Sequence, residues 1–147
     1  MKQRLFLAFV LMLASPLAVS ASPPTIVLPT NTHWTAMTSG PMAGAQMAIL
    51  MGNPSKPGPY IMRVKVKDGT KFAPHFHGEL ENVTVISGTL MVGLGDKMNT
   101  AKMKAIPAGG FVSVPSGLHH YAMAKGETVL EIAAMGPRTM IGVMPHK

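Results

Sequence analysis

Short apolar segments, each closed by glycine or proline, leave this chain few folds to adopt. "AQMAILMG" runs into "NPSKPGP", "YIMRVKV" into "KDGT", and "NVTVISG" into "TLMVGLGDK"; "GGFVSVPSG", "HHYAMAKGE", "TVLEIAAMG" and "RTMIGVM" complete the series. Segments of this length at a spacing of about 8–12 residues predict an all-β sandwich or barrel. No long helical period, internal repeat or linker interrupts them. "GDK" at 95–97 and "KGE" at 125–127 read as hairpin tips, because glycine supplies the positive φ of a tight turn. At 147 residues, with 47% hydrophobic and 13% charged side chains, the chain suits one packed domain rather than a disordered polymer.

The first 21 residues stand apart from that pattern. Lys2 and Arg4 precede the apolar run "LFLAFVLMLA", and Pro16 and the small-residue stretch "AVSA" follow it. This is the order of a secretory signal peptide, and the run is short against the roughly 20 residues that span a bilayer. Cleavage near Ala21 would leave 22–147 as the barrel domain, with no stable membrane anchor. The absence of cysteine excludes disulfides and a lipid-modified N-terminal cysteine, and no Arg-Arg pair precedes the apolar run. The expectation is a protein exported unfolded, periplasmic or secreted.

Net charge is +7, and without Lys2 and Arg4 eleven basic residues face six acidic ones. Arg63, Lys65 and Lys67 alternate with Met62, Val64 and Val66, which places the charges on the wet face of a strand. A nucleic-acid binder would concentrate its charge and interleave aromatics. Neither is seen here, so no nucleic-acid partner is expected.

The chemistry concentrates in "GTKFAPHFHGELENVTVISG", residues 69–88. His75 and His77 share strand parity and face one side, presenting two imidazole nitrogens to one ion. Glu81 has the same parity and would return to the site from the start of the next strand. Glu79 is the rival carboxylate, placed in the intervening turn. "GGFVSVPSGLHHYA" offers a further imidazole from His119 or His120. Strand periodicity does not choose between them, because the Pro115–Gly117 turn resets the register.

The first stretch resembles the first motif of the cupin superfamily, G-x5-H-x-H-x3-E-x6-G, at Gly69, His75, His77, Glu81 and Gly88. Chance would produce it in a chain of this composition with odds on the order of 10⁻⁴. The second stretch is similar to the partner motif G-x5-P-x-G-x2-H-x3-N at Gly109, Pro115, Gly117 and His120, with Ala124 in place of the final Asn. The resemblance implies a double-stranded β-helix, or jelly-roll barrel. It implies His75, His77, Glu81 and His120 around one divalent transition metal: Fe, Mn, Cu, Ni, Co or Zn. By this resemblance the chain is expected to be a metal-dependent oxidoreductase of the dioxygenase type acting on a small oxygen-rich molecule, with Glu81 as ligand and catalytic proton acceptor. The alternative is a non-catalytic metal- or ligand-binding protein of the envelope. A sugar or uronate isomerase would want more polar walls than "VTVISGTLMVG" provides. A homodimer formed by strand exchange is a further arrangement that the resemblance allows.

His33 and His146 lie outside both motifs and receive no role. The methionines, fourteen in all, read as core fillers rather than thioether ligands. Met91 or Met123 is the expected apolar wall of a binding cavity. Tyr60, Tyr121 and Trp34 read as packing residues.

Overall fold

The computed structural model describes residues 22–144; the apolar leader at 1–21 and His146 lie outside the described residues. The period-two alternation of "YIMRVKV" becomes strand β3 (Gly58–Val66), in which Tyr60, Met62, Val64 and Val66 are buried and the residues between them are not. Arg63 on the wet face pairs at 2.9 Å with Glu131, its cross-strand partner. Lys65 lies 4.5 Å over the Trp34 ring. Local partners on the strand's outer face thus account for both of its basic residues, Arg63 and Lys65; Lys67 lies just beyond its end.

Around β3 the chain forms an all-β jelly roll. The other strands are β1 (Thr35–Ala36), β2 (Gln46–Met51), β4 (Lys71–Phe76), β5 (Glu81–Leu94), β6 (Lys104–Pro107), β7 (Phe111–Val114), β8 (His120–Gly136) and β9 (Ile141–Gly142), all paired antiparallel. Strand β8 is the hub, since it pairs with β3, β4 and β5. The inward side chains of β3, β5 and β8 form one apolar cluster that includes Val64, Val85, Leu90, Leu130 and Ile132.

Two expected hairpin tips are corrected. "KGE" lies inside β8, and "NVTVISG" and "TLMVGL" share the single strand β5. Gly88 (φ 74°) and Gly126 (φ 77°) instead mark an irregular stretch where the β5–β8 register shifts. A left-handed glycine serves a strand irregularity as well as a turn. Gly95–Lys97 does end β5, but it opens a longer connection containing a 3₁₀ turn at Thr100–Lys102 rather than a tight hairpin.

Candidate metal centre

His75 and His120 are direct cross-strand partners on β4 and β8, with ring centroids 4.2 Å apart. His77, just beyond β4, lies 5.0 Å from His75 and 5.4 Å from His120. Each ring offers a nitrogen, and the three nitrogens lie within 4.8 Å of one another. A ladder irregularity between Phe72 and His75 turns both side chains inward although their parities differ. On the other side, Gly117 N–H donates to the His77 carbonyl at 2.8 Å, and Ser116 Oγ–H to that of Gly78 at 2.7 Å. These bonds tie the turn before His120 to the end of the His-x-His segment.

The second nitrogen of each ring fixes the tautomer. His75 Nδ1 meets the Ala73 carbonyl at 2.7 Å, His120 Nδ1 the Leu118 carbonyl at 2.9 Å, and His77 Nδ1 the Thr139 carbonyl. A carbonyl only accepts, so each neutral ring carries its hydrogen on Nδ1 and leaves the Nε2 lone pair free. Burial pushes His75 down to about 4 and also lowers His120, which keeps both neutral.

Glu81, the first residue of β5, places Oε2 3.3 Å from His77 Nε2, and both groups are almost wholly buried. With Nδ1 protonated, these two atoms are both acceptors, and His77 Nε2 has no hydrogen-bond partner. They repel unless a cation lies between them. Burial alone would lower His77 and raise Glu81; their mutual contact outweighs it, so His77 is raised and Glu81 is lowered, with Arg138 adding to the latter. A proton satisfies the pair, and so does a metal ion. Two ligand atoms each about 2.1 Å from one ion stand roughly 3.0–3.4 Å apart. The residues therefore fit a divalent metal held by three imidazoles with a carboxylate beside them.

The other sequence candidates fall elsewhere. Glu79 accepts from Thr139 N–H at 3.0 Å and from its hydroxyl at 2.8 Å, outside the cluster. His119 is half-buried, contacts Asp96 at 2.6 Å and stacks on Phe76. His33 is exposed.

Beside the histidines lies a cavity of about 60 Å³, several times what one water needs. Aliphatic residues of β3, β5, β7 and β8 line most of it. Its methionines are Met42 and Met140, not Met91 and Met123, which pair with each other across β5 and β8 away from the cavity. Arg138 also lines it, with Nη2 3.4 Å from Glu81 Oε1. The sequence reading missed Arg138 because it lies beyond both motifs. Its one signal is that it is the lone charge in "AAMGPRTMIGVM".

A family model described as Cupin matches residues 58–139, more than half of the chain. No curated protein matches it. Among solved structures, the polyketide cyclase RemF from Streptomyces resistomycificus superposes with a TM-score of 0.68 at 16% identity, over 85% of this chain and 89% of that one. A candidate acetylacetone dioxygenase from Methylibium petroleiphilum gives 0.63 at 16% identity, over 89% and 91%. KdgF from Halomonas sp. gives 0.60 at 19% identity, over 78% and 96%. At such identities these three speak for the fold.

Proposed function

The chain belongs to the cupin family, and on that premise we propose that it is a small exported, metal-dependent oxidoreductase of the dioxygenase type. The observation that carries this reading is the set of three Nδ1–H···O=C bonds, which free three Nε2 lone pairs next to the Glu81 carboxylate. His75, His77 and His120 would hold the ion through Nε2, and Glu81 would hold it through Oε2. Mixed imidazole and carboxylate donors suit Fe, Mn, Cu, Ni, Co or Zn. Bound there, such an ion supplies Lewis-acid polarisation of a substrate oxygen and, for the redox-active members of that set, a centre for O₂ chemistry.

The protein's own groups do the rest. Glu81 is the proton acceptor when its carboxylate exchanges from ligand to base, and against its burial the His77 and Arg138 contacts hold it ionised below its usual range. Val83, Leu90, Leu130 and Ile132 exclude water and leave room for a ligand of few heavy atoms. The Methylibium neighbour is described with the same activity class. The apolar leader at 1–21 supports export to the periplasm or medium.

A non-catalytic binding protein is the second reading. It is favoured by the cavity wall, where among the described residues no carboxylate, imidazole or nucleophile stands beside Glu81 and the three histidines that would hold the ion. Metal analysis of protein from its native host tests the common part. The wild type should carry about one ion per chain, and His75→Ala and His120→Ala should each lose most of it. Unchanged content in both variants would refute the centre. Oxygen uptake by the loaded protein with diols, diketones and keto acids then separates enzyme from binder.

A further inference from the structure

The cavity is sharply divided in polarity. Apart from the histidines, Glu81 and Arg138 are the only polar side chains among its described lining residues, and the other walls are aliphatic, Phe72 and methionine. Arg138 has five N–H donors. Its contact with Glu81 occupies Nη2, while Nε is buried with no acceptor. The Tyr60 hydroxyl is buried without a partner as well, and Tyr60 is 1% exposed. Its phenol feels the charges of Arg138 and Glu81. A buried Arg138 donor without an acceptor, in a side chain that lines the cavity, is a costly arrangement unless a ligand supplies one.

Charge points the same way. With a divalent ion on the histidines, the Arg138 guanidinium and one Glu81 carboxylate leave the enclosed site two charges positive. Burying such an excess is unfavourable unless an anion enters with the ligand.

We propose that Arg138 is the anion-binding residue of this cavity, and that its ligand is a small organic oxyanion, a carboxylate or enolate with an aliphatic body. One ligand oxygen faces the histidine cluster and another accepts from Arg138. The valine, leucine and isoleucine walls take the hydrocarbon part. The ligand class rests on the metal reading above, whereas the role of Arg138 rests on its own unpaired donor.

The test is a calorimetric titration of Co(II)-loaded and metal-free protein with isobutyrate and with its uncharged analogue isobutyramide, comparing wild type, Arg138→Gln and Arg138→Lys. Wild type should prefer isobutyrate, and Arg138→Gln should lose about 10–100-fold in isobutyrate affinity while isobutyramide binding stays the same. Arg138→Lys should keep part of the preference, which also controls for folding. Co(II) affinity of Arg138→Gln, read by chelator competition, should fall much less than isobutyrate affinity, because the glutamine amide still offers Glu81 Oε1 a donor. Equal isobutyrate affinity in wild type and Arg138→Gln overturns the proposal. Parallel loss of Co(II) and isobutyrate also overturns it, because Arg138 would then act only by positioning Glu81. If wild type binds no Co(II), the metal reading fails, and the charge preference of the metal-free protein still decides the role of Arg138.

Discussion

The Glu79 carboxylate accepts from both the N–H and the hydroxyl of Thr139, and the Thr139 carbonyl in turn accepts from His77 Nδ1. Glu79 thus orients a proposed ligand from a distance through a strap that follows β8. Groups that hold a metal-binding imidazole in place are commonly worth 10–100-fold in metal affinity. Glu79→Ala should therefore weaken Co(II) binding by about tenfold in chelator competition, with one ion still bound per chain. Undiminished affinity would show that His77 needs no such support. Parity and spacing left Glu79 and Glu81 as rivals because both sit an even number of residues from His77. What separates them is that Glu79 bonds Thr139, 60 residues away in sequence, while Glu81 reaches His77 Nε2. Tyr60 gives a pH test at the same scale. Burial, opposed by Arg138, pushes its phenol up to about 12. In the unfolded chain it ionises near pH 10, so the folded state retains a proton that the unfolded state loses. Tyr60 should make stability fall as pH rises from about 10 to about 12, and Tyr60→Phe should flatten that part of a urea-denaturation pH profile.

Strands β5 and β8 carry opposed irregularities, Gly88 and Gly126, that differ in what surrounds them. A Cβ on Gly88 would run into the Glu127 carbonyl and Thr128, whereas a Cβ on Gly126 meets nothing within 4 Å. Both have positive φ. Gly126→Ala should cost only the conformational penalty, about 1–2 kcal/mol. Gly88→Ala adds a backbone collision and should cost about 3 kcal/mol or more. Urea denaturation of the two variants checks the order, and equal losses would mean that the close approach at Gly88 relaxes freely. The same pair shows why the strand count was misread from sequence. A left-handed glycine between apolar segments signals a turn or a kink equally, and only the β5–β8 pairing decides. The methionine wall was misplaced for a related reason. Met91 and Met123 pair with each other across the two strands, while Met42 and Met140 reach the cavity from loops that carry no period at all.

Across the whole molecule, the proposed centre joins two segments that are distant in the chain, residues 75–81 and His120. His75 sits in β4, Glu81 at the start of β5, and His120 at the start of β8, while His77 is bonded to the C-terminal strap through Thr139. The motif spacing made this cup legible because its turns are local, with Gly117 and Ser116 joining the two motif segments directly. Arg138 was not legible, since the strap reaches the cavity by long-range contacts: Arg138 N–H to the Pro54 carbonyl, and β9 pairing with β4. An ion held by these residues would cross-link segments that separate on unfolding. Its binding free energy would then appear as folding stability. At 100–1,000 times its dissociation constant, added Co(II) should raise the unfolding free energy by about 3–4 kcal/mol. His75→Ala should lose that increment even if its metal-free stability is unchanged. Removing residues 137–147 should reduce it too, because His77 would lose the Thr139 carbonyl that orients it. If the truncated protein were stabilised by Co(II) as strongly as the full chain, the barrel alone would hold the metal. The strap would then serve the ligand through Arg138 and not the ion.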